Sequence, residues 1–275
     1  MINRLKRLTN RPELIWLARA CGLREFLRKC YFRWARPADG IFQLKLAGMN
    51  AQFYVHTPEE LRMLGKVETR DWEREVMEFL ARNVQTGDVA YDIGSNIGLY
   101  TVFLSRAVGN HGQVIAYEPA RQSYESLRDN LTLNAVTNVR AFQVALGDHS
   151  GKEKLYFSDA DLLFSSLTRP RSPKMTHQIV QVVEGDKFRE AENLPIPRVV
   201  KIDVEGYEYA VIRGLRRTLS NPACQLVACE VHPTLLPDGV KPEQVHDLLK
   251  SLGFSRIDIR RCHVIPDYHV LASKG

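Results

Sequence analysis

The sequence predicts an α/β chain: a doubly wound, mostly parallel sheet of seven strands, with an N-terminal helical extension and one inserted hairpin. Three observations lead there. Short apolar runs near 88–93, 113–118, 139–146, 199–203 and 225–231 alternate with stretches of helical periodicity, as expected for strands buried on both faces and their crossover helices. The first run passes into a helix through the glycine-bearing turn Asp92-Ile93-Gly94-Ser95-Asn96-Ile97-Gly98. Carboxylates recur at strand ends, as Asp92, Glu118, Asp203 and Glu230.

In chain order, residues 41–57 read as a short antiparallel addition. Thr57-Pro58-Glu59-Glu60 then opens a helix with a capping residue and proline in its first turn. A helix over 73–82 leads to the first sheet strand, and helices follow over 97–108, 120–134, 206–219 and 242–252. Short strands near 254–259 and 268–272 complete the sheet. Some fifty residues separate the third and fourth main strands, too many for a plain crossover. Alternation in Lys154–Phe157 and Ile179–Val183 predicts a hairpin there, whose tip, 158–178, carries Arg169, Arg171, Lys174 and His177. Loops at such a face form lids or contact substrates; a merely solvated tip fits as well.

The first turn carries the chemistry. Gly94 and Gly98 let backbone approach a ligand at the strand's carboxyl end, while Asp92 supplies an acceptor where phosphate would be repelled. A dinucleotide loop wants glycine where Asn96 stands, and no Gly-Lys-Ser/Thr follows as in a P-loop. S-adenosylmethionine fits this pattern: it is cationic at sulfur, has a ribose diol and lacks phosphate. Glu118 ends the second strand about 20 residues after Gly98, the spacing of an acid that grips a ribose diol. The cofactor-binding candidates are therefore Asp92, Gly94, Ser95, Asn96, Gly98 and Glu118, joined at the third strand's end by Leu146 and Asp148, near adenine.

At the fourth strand, Asp203 directly follows Val199–Ile202, which Lys201 interrupts once, and Glu205 and Gly206 open the next turn. Glu230 and His232 alternate at the neighbouring strand's end and share a face. Asp203, Glu205 and His232 are the catalytic candidates. An imidazole titrating near neutrality suits proton abstraction from a hydroxyl, with either carboxylate orienting it or acting instead. Helix capping by Asp203 and backbone bonding by His232 are the structural alternatives. These are also metal-ligand types, but no metal is assigned.

The run Asp92–Gly98, with Glu118, Ala145–Asp148, Ser165-Ser166-Leu167, Lys201-Ile202-Asp203-Val204-Glu205-Gly206-Tyr207-Glu208 and Glu230–Pro233, resembles the FkbM-type methyltransferases over residues 70 to 258. The resemblance implies a class I, Rossmann-like, S-adenosylmethionine-dependent methyltransferase acting on oxygen, commonly of sugars or natural products. The expected reaction is methyl transfer to a hydroxyl of a saccharide or glycoconjugate. Methylation of a polyketide or other small molecule, and a non-catalytic cofactor-binding scaffold, are the alternatives. Ser95 stands where alanine is common in the family.

Composition is that of a globular chain, 44% hydrophobic and 25% charged. The expected domains are a basic extension over 1–60 and a methyltransferase domain over 61–275. No run is long enough to span a membrane, and Arg11, Arg19 and Arg24 break any leader-like apolar stretch. Five cysteines without a C-x-x-C pair indicate reduced thiols and a cytoplasmic protein. Residues 1–36 hold ten Lys or Arg against Glu13 and Glu25, whereas the whole chain carries only +6, so the remainder is slightly acidic. Within that segment Leu23, Phe26, Leu27, Cys30, Tyr31 and Trp34 fall on one helical face, which can dock on the catalytic part or lie on an anionic membrane surface. Nucleic acid is not expected as a partner, since the catalytic part is acidic and lacks an Asn-Pro-Pro-Tyr-like motif.

Overall fold

The computed structural model describes residues 30–68, 72–158, 161–168, 170, 175–261 and 266–275. After a helical stretch over 30–35, the elements begin with β1 (Ile41–Leu46), β2 (Met49–Tyr54), α1 (Pro58–Glu68) and α2 (Trp72–Asn83). Then come β3 (Val89–Ile93), α3 (Leu99–Val108), β4 (Gln113–Tyr117), α4 (Arg121–Leu133) and β5 (Val139–Phe142). The middle of the chain holds β6 (Ala145–Gly147), β7 (Gly151–Ser158), β8 (Asp161–Ser166), β9 (Thr176–Glu184) and α5 (Gly185–Ala191). It closes with β10 (Val199–Ile202), α6 (Glu208–Gly214), α7 (Arg216–Ser220), β11 (Leu226–Val231), α8 (Pro242–Ser251), β12 (Arg256–Arg261) and β13 (Tyr268–Ser273).

Seven strands form the main sheet in the order β12-β13-β11-β10-β3-β4-β5, parallel except for β13, which runs antiparallel to both its neighbours. The order reverses between β3 and β10, so their carboxyl ends flank the crevice where such sheets bind ligands. Side chains alternate between two cores. Ala90 faces one, with Leu80, Val102 and Phe103, and Tyr91 and Ile93 face the other, with Val211, Ile212 and Leu249.

The predicted cap at Thr57 forms: its Oγ1 accepts the Glu60 N–H at 3.2 Å while Glu60 Oε2 accepts the N–H groups of Thr57 and His56. Strands β1 and β2 turn through Ala47 and Gly48, both at positive φ, and Leu44, Leu46 and Phe53 enter the same core as Val102. Packing is therefore continuous across residue 60, where the sequence suggests a domain boundary. Asn130 binds the Tyr54 N–H through Oδ1 and the Ile97 carbonyl through Nδ2, tying this hairpin to the glycine turn.

Three local expectations need correction. The strand expected over 139–146 divides. β5 stops at Phe142 on the sheet's edge, and Ala145–Gly147 pairs instead with β9 in a second sheet, β6-β9-β7-β8. The inserted hairpin forms from β7 and β9, but its tip contributes a further strand, β8, which pairs with β7. The helix expected over 206–219 breaks at Leu215: Gly214 lies so close to β6 that a Cβ there would meet the Gly147 carbonyl at 1.7 Å. Asp186 then starts α7 by accepting the N–H groups of Arg217 and Thr218.

At the N-terminus, Phe32 and Ala35 pack on the core, whereas Tyr31 and Trp34 are 57% and 71% exposed. The face predicted from Tyr31 and Trp34 is therefore not the docked one; Leu23, Phe26 and Leu27 lie outside the described residues, as do Arg169, Arg171 and Lys174 of the hairpin tip. Cys30, Cys224 and Cys229 are free thiols. Among the described residues no helix is long and apolar enough to cross a membrane.

Candidate active site

At the end of β3 the chain turns where only glycine fits. Gly94 has φ +78, and a Cβ there would sit 1.8 Å from the Asp203 carbonyl oxygen, so the tips of β3 and β10 all but touch. The N–H groups of Gly94 and Ser95 both donate to the Tyr117 carbonyl, and Ser95 Oγ donates to the Asp92 carbonyl while accepting the Tyr117 N–H. Asn96 adopts φ +50, a conformation asparagine tolerates, and donates its N–H to Glu118 Oε2 at 2.8 Å. Glu118 Oε1 accepts the Ala120 N–H at 2.8 Å. Two strand ends are thus stapled around one carboxylate. Burial pushes Glu118 up to about 7, against the two backbone bonds and nearby Lys201.

Beneath this turn lies Lys201, 4% exposed. Its Nζ donates to the Gly94 carbonyl at 3.1 Å and lies 3.5 Å from Asp92 Oδ1, 3.4 Å from Asp203 Oδ2 and 4.7 Å from the centre of the Tyr100 ring. Burial disfavours its charge, but Asp203, Asp92, Glu73 and Glu230 outweigh burial and raise its pKa above the ordinary lysine value. The ammonium joins both strand tips. Asp92 is fully buried, its Oδ2 accepting the Thr101 hydroxyl at 2.5 Å.

A second cluster continues from Asp203. His232, 3% exposed, has Nδ1 2.7 Å from Oε1 of the fully buried Glu208, which also accepts the Gly206 N–H. Its Nε2 faces Glu205 Oε2 at 3.4 Å, Glu230 Oε1 at 3.5 Å and Asp203 Oδ1 at 3.9 Å. Burial opposes the imidazolium, but Glu205, Glu208 and Glu230 prevail and hold the pKa well above the usual histidine range. Asp203 is held below the ordinary aspartate value, because Lys201, His232 and His269 overcome its desolvation. Glu230 moves the other way, raised by burial and by Asp203. Its Oε2 lies 3.4 Å from Nε2 of His269, which burial pushes down to about 3. Glu205 has φ +51, and Gly206 beside it has φ +101, where a Cβ would meet the Leu235 carbonyl at 2.4 Å. Ser166 Oγ secures the turn by donating to the Glu205 carbonyl at 2.7 Å.

A solvent-open cleft lies at the carboxyl ends of the strands, over Asp203 and Glu205. Gly94, Asn96, Glu118, Leu146, Asp203 and Glu205 line it. Other expected residues stand elsewhere. Asp92 and Ser95 lie under the turn and shape it, Gly98 enters α3 in the left-handed conformation, and His232 stands behind Glu205. Asp148 turns away to Arg213 and His149. Lys201 and Glu208 were quoted from the sequence without a role in the site, and Glu73 and His269 were not singled out. Lys201 was visible as the one charge in an apolar strand, a signal in itself; Glu73 and His269 come from distant elements without a shared motif.

A glycine turn, a buried carboxylate on the next strand and an acid at the switch point define a nucleoside-cofactor enzyme of the class I methyltransferase fold. Residues 92–256 match the methyltransferase FkbM domain, and the chain belongs to that family of S-adenosylmethionine-dependent methyltransferases. It is 28% identical over 218 residues to the hexuronic acid methyltransferase AglP of Haloferax volcanii, covering 77% of this chain and 80% of that one. It is 29% identical over 201 residues to methyltransferase sdnD of Sordaria araneosa, covering 62% and 75%. Among solved structures, a SAM-dependent O-methyltransferase from Thermotoga maritima aligns with a TM-score of 0.45 at 16% identity, covering 85% of this chain and 77% of that one.

Proposed function

We propose that this methyltransferase acts on oxygen, transferring a methyl group to a hydroxyl of a saccharide or glycoconjugate. The observation that carries this reading is the position of Asp203: it lines the cleft shared with Asn96 and Glu118, and buried Lys201 keeps it ionised. The likeness to a hexuronic acid methyltransferase supports a saccharide acceptor.

S-adenosylmethionine supplies an electrophilic methyl on a cationic sulfur. Of the residues that line the cleft, Glu118 would accept from the ribose diol, Gly94 and Asn96 would border the cofactor at the turn, and Leu146 would offer an apolar surface to adenine. Held there, the cofactor would supply the methyl for a new O–CH3 bond, its sulfur keeping the electron pair of the broken S–CH3 bond. The hydroxyl proton passes to the Asp203 carboxylate. Asp203 suits this task better than His232, whose Nδ1 is engaged by Glu208 and whose charge the surrounding carboxylates favour. Alignment of nucleophile and methyl supplies about 7–11 kcal/mol, and base assistance a further factor of about 10²–10⁴.

The test has two parts. Calorimetry with S-adenosylhomocysteine should show saturable binding that NAD does not reproduce, and labelled methyl transfer should be sought with uronic-acid and neutral saccharides. The Asp203→Asn variant should keep the thioether's affinity and lose about 10²-fold or more in kcat. Undiminished turnover in that variant would remove Asp203 as the base, and acceptance only of non-saccharide hydroxyls would overturn the acceptor class.

A further inference from the structure

From the arrangement of Asp203, Glu205 and His232 we infer that the floor of the acceptor side is a binding site for a divalent cation of the magnesium–manganese class. The inference rests on the methyltransferase reading only for its purpose, not for its geometry.

Asp203, Glu205 and His232 each present one ligand atom, and these three atoms lie within 4.8 Å of one another. An octahedral cation at about 2.1 Å from its ligands sets neighbours about 3.0 Å and opposites about 4.2 Å apart. The separations from His232 Nε2, 3.4 Å to Glu205 and 3.9 Å to Asp203, exceed that of neighbouring ligands by less than an ångström, the distance by which the cluster closes around an ion.

Two further features point to a ligand. The first is His232: it is buried, its Nδ1 is fixed by Glu208, and its Nε2 is aimed at Glu205, Glu230 and Asp203, 3.4, 3.5 and 3.9 Å away. A carboxylate holding one ring nitrogen so that the other meets a metal is the common outer-sphere arrangement of metal-bound histidine. The second is charge. Glu73, Asp92, Asp203, Glu205, Glu208 and Glu230 gather around Lys201, His232 and His269, so acids outnumber bases six to three. A dication balances most of that excess without protonating the acids. One imidazole among carboxylates suits manganese or magnesium better than a thiolate-seeking metal.

Asp203 and Glu205 also line the cofactor cleft, so a cation held there faces the space an acceptor hydroxyl must enter. It would bind that oxygen and make its proton more acidic, with the vicinal oxygens of a sugar able to complete the coordination. With the cation bound, His232 and Asp203 both hold it, and the proton of the acidified hydroxyl passes to water and not to Asp203.

The experiment titrates Mn2+ into chelator-stripped full-length protein, followed by calorimetry and by the loss of free Mn2+ resonance, with S-adenosylhomocysteine titrated separately. One saturable equivalent is expected. Glu208→Gln, isosteric and outside the coordinating set, should raise the Mn2+ Kd about 10–100-fold and keep the thioether's affinity; Glu205→Gln should raise the Mn2+ Kd at least as much. Wild-type protein that binds the thioether but no Mn2+, or Mn2+ affinity untouched by either variant, would overturn the site. Mn2+ binding that both variants weaken, without thioether binding, would uphold the site and sink the cofactor reading.

Discussion

Replacing Lys201 by Met tests the claim that one buried ammonium holds the two strand tips together. Methionine keeps most of the apolar stem, so little cavity forms and the change is chiefly electrostatic. The variant leaves Asp92, fully buried, with the Thr101 hydroxyl but without the ammonium 3.5 Å away, and Asp203 without its neighbour at 3.4 Å. The Gly94 carbonyl also loses its 3.1 Å donor. Breaking a buried pair by removing one partner costs about 3–5 kcal/mol, a large fraction of the 5–15 kcal/mol that holds a typical domain. Urea unfolding followed by circular dichroism should show the loss as a lower midpoint with unchanged slope. Asp92→Asn on the Lys201→Met background should recover about 1 kcal/mol or more, because the stranded charge is then gone. S-adenosylhomocysteine should bind more weakly to the single variant, since Gly94 is no longer anchored. If Lys201→Met lies within about 0.5 kcal/mol of the parent, as for an ordinary surface change, the reasoning fails.

Other consequences follow from the same geometry. Glu118, raised to about 7 by burial, should make thioether binding pH-dependent: the ionised fraction rises about tenfold from pH 6 to 8, and affinity with it. In Glu118→Gln that dependence should vanish, which calorimetry across the range will read. Because the folded pKa is raised, this group's contribution to stability is present in full below the carboxylate's unfolded value of about 4.3 and is lost as pH climbs through about 7. Gly94→Ala should destabilise by about 2–5 kcal/mol, combining a left-handed φ with a methyl pressed on the Asp203 carbonyl; a melt unchanged from the parent would contradict the contact. Asn130→Ala removes bonds to Tyr54 and Ile97 and should cost about 1–3 kcal/mol, with faster amide exchange in β2 as the local readout.

How much could be read in advance differs element by element. The parallel core strands are apolar runs with turn residues at their ends, and β3, β4, β10 and β11 were legible because burial on both faces leaves little choice of side chain. Edges were harder. Nothing local distinguishes residues 139–142 from 145–147, and their division depends on which partner strand each finds. The tip strand β8 and the break at Leu215 likewise depend on β7 and β6, which lie far along the chain. At the N-terminus the spacing pointed to the face of Tyr31 and Trp34, but the core took Phe32 and Ala35.

For the site, the sequence by itself determined the turn from Asp92 to Gly98, the acid at Glu118 and the carboxylates at 203 and 205. Each is a local consequence of a strand ending where backbone must approach closely. The tertiary structure alone decided what those acids do. It placed Asp92 under the cleft and not in it, turned Asp148 toward Arg213, and set Glu208 behind His232. It also brought Glu73 and His269 together with Glu230, from elements widely separated along the chain. The physical reason is that charge interactions act through space: a carboxylate's pKa and partners depend on groups within a few ångströms, and the fold chooses those from anywhere in the chain.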